Sequence, residues 1–407
     1  MAMSETVEAS GSNYRAVFER YTANSVQRLL ERARLAEPIL SLEDRTQTFH
    51  TLHYAFKLPT AWPVTRELLL TVAPHMEQAG HRDEWMFYLE QAIALSQQMG
   101  DSQAAAELQL QLGLLYQLRS NYETARRYLE VSAKQFEALD DPLNQARALN
   151  QLAQVARYQR RFNEATRLVE IALRLLDEEA VERAFSFFVL GVIAFDKRNW
   201  QEAERYFEQA LALWTRVNDK RMMGRSLMSL STVLLPQNKY QAAIEVNQQA
   251  IILFEVVQDP THRAISQMNL GNVYLSLDQP QQALELYQPA EHVFRQTQDL
   301  FYLAHVNHNI GMAYRHLEEW AMAETAYRRS IDYQEKVGNL AWLVDTMDGL
   351  GLGYLNQGQP EQAITVFEAA LERLTEIQGE PRHDHLLTMV SAHLQDANHR
   401  LNPKIVD

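Results

Sequence analysis

The chain of 407 residues contains no cysteine. That absence removes disulfides, thiolate zinc sites, iron–sulfur ligation and cysteine nucleophiles from consideration. No apolar run approaches the roughly 18 residues that a spanning helix needs, so no membrane segment is expected. Cations are in deficit, with 38 Lys and Arg against 52 Asp and Glu, a formal net charge of -14 and a pI near 5.4. A field of that sign repels phosphate backbones, and no basic arm or lysine-rich run relieves it, so nucleic acid is not an expected partner. The phosphate-loop, dinucleotide and zinc-hydrolase signatures are also missing, and no cofactor, metal or enzymatic activity is expected. Residues 1–13, MAMSETVEASGSN, lack the apolar centre of a signal or anchor and read as a disordered tail. A cytoplasmic location is the expectation.

What is present is a repeat. At 46% hydrophobic and 22% charged, the composition supports a packed interior. A short phrase, a large aliphatic residue followed by a small one, recurs as Leu112-Gly113, Leu152-Ala153, Leu190-Gly191, Leu230-Ser231, Leu270-Gly271, Ile310-Gly311 and Leu350-Gly351, at spacings of 40, 38, 40, 40, 40 and 40 residues. Twelve residues after each small residue stands an alanine: Ala125, Ala165, Ala203, Ala243, Ala283, Ala323 and Ala363. Seven further on come Ser132, Ala172, Ala210, Ala250, Ala290, Ser330 and Ala370, which places both small positions on one helical face. Two antiparallel helices approach closely where small side chains meet, so a first-helix glycine against a second-helix alanine is the expected contact. Between them Tyr122, Phe162, Trp200, Tyr240, Pro280, Trp320 and Pro360 are expected to open each second helix, the aromatics as wedges in the turn and the prolines because a first turn tolerates a missing N–H. Asp141-Pro142 and Asp259-Pro260 read as first-helix caps.

This arrangement resembles the tetratricopeptide repeat, with its L-G-x-x-Y, then A, then F or Y, then A. The strongest copies are Leu270-Gly271-Asn272-Val273-Tyr274 with Ala283, Tyr287 and Ala290, and Ile310-Gly311-Met312-Ala313-Tyr314 with Ala323 and Tyr327. The period is about six residues longer than the usual 34. It is similar in this to spindle-orientation adaptors, kinesin light chains, bacterial Rap-type regulators and the sensor tails of bacterial signal-transduction ATPases. The resemblance implies an all-α fold, a right-handed α-solenoid of about eight helical hairpins with N- and C-terminal capping helices. The solenoid is expected over residues 61–375, its first copy degenerate, with Trp85 in the alanine slot. Residues 14–60 read as a helical cap or worn repeat, and residues 380–407 as a cap helix and tail.

The resemblance also implies a ligand groove lined by the first helix of each hairpin, at six and three residues before the small position and one, four and five after it. Those positions hold Arg147, Asn150, Gln154 and Arg157 in one repeat and Phe185, Phe188 and Phe195 in the next. Later repeats contribute Arg225, Met228, Met268, Asn272, His308 and Arg315. Leu190 and Ala194 already occupy the packing face of their helix, so the phenylalanines are expected to be exposed in the groove, flanked by Arg147, Arg157 and Arg225 that pair with an acidic partner. Asn269, Asn272 and Asn309 stand where the spindle-orientation relatives hold an extended peptide by its backbone amides. His305 and His308 share a helix face, but without carboxylates at matched spacing they read as groove surface rather than metal ligands. The expected function is a non-catalytic scaffold or adaptor for a partner peptide or helix. The alternative is a peptide-sensing regulator, or a regulatory subunit of a separate protease or ATPase.

Overall fold

A computed structural model describes residues 2–35, 40–78, 82–378 and 382–402. The chain divides into two compact units, Met1–Arg198 and Asn199–Asp407. The first contains α1 (Ala2–Leu35), α2 (Leu42–Ala55), α3 (Trp62–Gln78), α4 (Arg82–Gln98), α5 (Ser102–Leu118), α6 (Tyr122–Ala138), α7 (Pro142–Tyr158), α8 (Phe162–Leu175) and α9 (Arg183–Asp196). The second contains α10 (Trp200–Arg216), α11 (Lys220–Leu234), α12 (Tyr240–Val256), α13 (Pro260–Ser276), α14 (Pro280–Gln296), α15 (Leu300–His316), α16 (Trp320–Val337), α17 (Leu340–Asn356), α18 (Pro360–Leu374) and α19 (His383–Leu401). No strand occurs among the described residues. Each unit is built of consecutive antiparallel hairpins, the α-solenoid class.

The second helices begin at the residues the sequence marked: Tyr122, Phe162, Trp200, Tyr240, Pro280, Trp320 and Pro360. First helices are capped as expected, with the Asp141 carboxylate accepting from Asn144 N at 3.0 Å and that of Asp259 accepting from His262 N at 3.1 Å. One three-residue turn serves nearly every junction. After α5, Ser120 takes a left-handed φ of 57°, its N–H donates to the Gln117 carbonyl, and the Asn121 N–H donates to Tyr116 O at 2.9 Å. This closes the orphan carbonyls of α5 while Asn121 caps α6 through Thr124 N. The same positive φ recurs at Asp140 and Arg160 and, in the second unit, at Asn218, Asn238, Gln258, Asp278, Gln298 and Glu318. One exception precedes α9. There α8 stops at Leu175, and the Arg183 guanidinium donates to the carbonyls of Leu173 and Leu176.

The glycine contact differs from the one expected. The alanines are fully buried, but what fills the space above the glycine is a large residue four positions beyond the alanine. A Cβ built on Gly113 would lie 2.7 Å from Leu129 Cγ, and one on Gly311 the same distance from Tyr327 Cδ1. Gly271 faces Tyr287 and Gly351 faces Phe367 in the same way. Glycine is therefore a socket for a ring, and alanine only lets the helices close. In the hairpin of Ser231 the socket is polar: Asn247 replaces the ring, and its Nδ2 donates to Ser231 Oγ and to Ala243 O.

At the N-terminal end, residues 2–13, expected as a disordered tail, are helical and continuous with α1, so no break falls at residue 14. Trp85 is 1% exposed and packs near Phe49, taking a core place where other repeats have alanine. At the other end α19 buries Leu386, Val390 and Ala397. Residues 380–381 and 403–407, part of the segment read as cap and tail, lie outside the described residues. No described helix is long and apolar enough to cross a membrane.

Candidate functional site

The residues expected to line a groove fall on five first helices. Unit 1 carries Arg147, Asn150, Gln154 and Arg157 on α7, and Phe185, Phe188 and Phe195 on α9. Unit 2 carries Arg225 and Met228 on α11, Met268, Asn269 and Asn272 on α13, and His308, Asn309 and Arg315 on α15. The expected aromatic and arginine patch thus draws residues from both units.

Four of the five positions three before the small residue do not face a groove; the fifth, Met228, is half-buried. Asn150, Phe188, Met268 and His308 are all buried. The reason is visible where polar atoms report the contact. Asn150 Nδ2 donates to Ser186 Oγ at 2.8 Å, and His308 Nδ1 lies 3.1 Å from Thr346 Oγ1. Each partner stands on the next first helix, so the position lies in the seam between adjacent first helices rather than above it. Phe188, expected in the open, is 6% exposed, with Phe185 stacked on it at 6.4 Å between ring centroids. Phe185 and Phe195 are half-buried. Burial pushes the His308 imidazole down to about 4, helped by the nearby charges of His305, Arg315 and Arg382.

Two of the arginines expected to meet an acidic partner already have one. Arg157 Nε donates to Asp196 Oδ2 at 2.5 Å and its Nη1 to Gln154 Oε1, while its guanidinium covers the Tyr158 ring at 4.5 Å. Arg147 pairs with Glu182 at 3.3 Å. Both acids lie about one repeat further along the chain, and the same one-repeat separation joins Arg126 to Glu164 and Arg221 to Asp259. Complementary charges one period apart were the sequence signal that these pairs are internal.

The asparagines do come together. On α13 and α15, Asn309 Nδ2 donates to Asn272 Oδ1 at 2.8 Å, and the Tyr287 hydroxyl donates to the same oxygen at 2.7 Å. Tyr287 is the ring seated on Gly271, so the socket of the hairpin also orients the amide. Two donors on one oxygen fix which end of the Asn272 amide is which. Outside this contact lie the Asn272 Nδ2 donor and the Asn309 Oδ1 acceptor. Both side chains are half-buried, as is Asn269. The role of Tyr287 in this pair was not read from the sequence, which showed it only as a repeat aromatic.

Among the described residues no group of three or more His, Asp or Glu is arranged to hold a metal ion. The tetratricopeptide repeat model matches residues 182–254, 225–296 and 302–376, within the run of hairpins just described. Tetratricopeptide repeats are thus recognised within residues 182–376. No curated protein matches the sequence. Among solved structures, the chain is similar to a Rap protein complexed with competence and sporulation factor, at TM-score 0.54 and 13% identity, over 83% of this chain and 98% of that one. It is also similar to a signal transduction ATPase with numerous domains, carrying a tetratricopeptide repeat sensor, from Pyrococcus horikoshii, at TM-score 0.61 and 14% identity, over 93% of this chain. The match spans 62% of that ATPase's length. At these identities the likeness is one of fold.

Proposed function

We propose that this protein is a non-catalytic adaptor that holds an extended segment of a protein or peptide partner, with the partner's main chain bound at Asn272 and Asn309. The observation that carries this reading is the pair of hydrogen bonds onto Asn272 Oδ1, which leaves one amide donor, on Asn272, and one amide acceptor, on Asn309, outside the contact on neighbouring first helices. A residue in an extended chain presents its own N–H and C=O on one edge whatever its side chain, so such a pair suits extended main chain. Phe188, Met268, Asn150 and His308 drop out of the contact surface because they are buried. Arg147 and Arg157 contribute shape rather than a free charge. A peptide-sensing regulator is the second reading, favoured by the similarity in fold to a Rap protein complexed with a factor over nearly all of that chain's length.

The test is selection of a phage-displayed random dodecapeptide library on the full chain, followed by titration of the enriched peptides. Asn272→Ala and Asn309→Ala are expected to weaken the enriched peptides about fivefold or more each, with unchanged circular dichroism, since a net hydrogen bond is worth about 1 kcal/mol. Failure to enrich any peptide, or enriched peptides that ignore both substitutions, would sink the reading.

A further inference from the structure

Beside the asparagine pair, a row of rings crosses from α15 to α17. Phe301, His305 and Asn309 follow one another at four-residue steps on α15 and so lie along one face of it. The His305 ring sits 4.3 Å from Phe301 and 4.5 Å from Trp342 on α17, centroid to centroid. Arg382 covers Trp342 at 5.1 Å and is itself paired with Asp345, so the row carries no uncompensated cation and makes a poor anion site. The outer ring, Phe301, is 44% exposed although large and apolar.

The tautomer of His305 is set by its neighbour. Its Nδ1 lies 2.7 Å from the Phe301 carbonyl oxygen, which can only accept, so Nδ1 carries the proton. Burial, with the nearby Arg382 charge, lowers the His305 pKa, against the hydrogen bond to the Phe301 carbonyl and the Asp299 charge, which raise it. Nε2 is then an acceptor framed by two aromatic rings.

We propose that Phe301, His305 and Trp342 form a side-chain subsite for a tyrosine or tryptophan of the bound segment, its ring against Phe301 and its O–H or N–H donating to His305 Nε2. The spacing fits. Four residues of α15 separate His305 from Asn309 by about 6 Å of rise, and an extended chain advances about 6.6 Å in two residues. A segment held at Asn309 and running along α15 brings the side chain two residues away over His305. A phenylalanine or leucine there leaves Nε2 without a donor, which costs selectivity rather than contact area. The inference rests on the main-chain reading above for the direction of the segment, but the subsite itself is testable without it.

The probes are the N-acetyl amides of tyrosine, tryptophan, phenylalanine and leucine, titrated into the full chain. The signal followed is the Trp342 indole N–H resonance, assigned by its loss in Trp342→Phe. The tyrosine and tryptophan amides are expected to move it with a Kd roughly threefold to tenfold below that of the phenylalanine amide, the range of one net hydrogen bond. His305→Phe, which keeps a ring in the row, is expected to erase that preference while the phenylalanine amide still binds. An Asn309→Ala chain that keeps both the affinities and the preference defeats the main-chain reading alone and leaves the subsite standing. The subsite is overturned if no probe moves the Trp342 resonance, or if the phenylalanine amide binds the wild type as tightly as the tyrosine amide.

Discussion

The ring of Tyr327 on α16 is gripped between two glycines, Gly311 on α15 and Gly349 on α17, where added Cβ atoms would lie 2.7 Å and 2.9 Å from its carbons. One ring therefore locks its own hairpin and the next first helix together. Its neighbour Tyr287 does the first of these at Gly271 and also fixes the Asn272 amide.

Gly311→Ala must push the Tyr327 ring out of its socket, and overpacking of this kind costs about 1–3 kcal/mol. Gly353, on the same helix as Gly349 but with nothing within 4 Å of an added Cβ, is the control. There alanine gains helix propensity of about 1 kcal/mol. Thermal melts are expected to show a fall for Gly311→Ala and a rise for Gly353→Ala. Equal shifts would mean that the glycines are not sockets.

A second prediction concerns Gln334, which is fully buried on α16 with both ends of its amide unpaired among the described residues. One repeat earlier the same position is Phe294, and one before that Phe254, both fully buried. An amide left without partners costs about 1–3 kcal/mol. Gln334→Leu is expected to raise the unfolding midpoint in urea, by about 1 kcal/mol or more in stability. A midpoint unchanged or lowered places an ordered water or a partner group on that amide.

How far the sequence could be read follows from what kind of contact each residue makes. The starts of second helices, the caps at Asp141 and Asp259 and the small positions were legible because each is decided within one hairpin. The orientation of Phe188 and His308 was not, because whether such a residue faces a groove or the adjoining first helix depends on how one hairpin rests on the next. Helical spacing alone cannot separate two faces that lie within a few tens of degrees of each other. Arg157 shows a different gap: its partner Asp196 was in plain sight one repeat away, but a groove template scores each position singly and overlooks pairs. The asparagine pair was half legible, as positions but not as an oriented donor and acceptor, since that depends on Tyr287.

The turns predict a gain. Glu318 holds φ at 60°, a left-handed conformation that costs an L-residue other than glycine or asparagine about 1–2 kcal/mol. Gly338 and Gly358 meet the same demand in the following turns without that cost. Glu318→Gly is expected to stabilise by roughly 0.5–1 kcal/mol after the added chain entropy of glycine is deducted. Asn238→Gly should gain less, because asparagine already tolerates the conformation. A loss at Glu318 in chemical denaturation would show that its side chain contributes more than the strain removes.

The last prediction is a pH dependence that resides in one seam. His308 is buried beside Thr346 and Tyr327, and burial pushes it from the ordinary 6.5 down to about 4. The unfolded chain therefore takes up a proton at His308 over a range where the folded chain does not. Between pH 6.5 and about 4 that uptake favours unfolding, so stability falls as pH falls through this window and levels off below it. The full effect is on the order of 3 kcal/mol, at about 1.36 kcal/mol per pH unit between the two values. The equivalent position is methionine in the two preceding repeats, Met228 and Met268, so the seam accepts an unbranched apolar side chain. His308→Met is expected to keep the fold and to flatten the decline between pH 6.5 and 4 relative to wild type. Lower acid losses from Asp259 are expected in both chains, because hydrogen bonds and charge from His262, with Arg221 nearby, outweigh its desolvation and hold its carboxyl below the usual range. Parallel stability curves for the two chains from pH 7 to 4, measured by urea denaturation, would show that His308 is not the group that titrates.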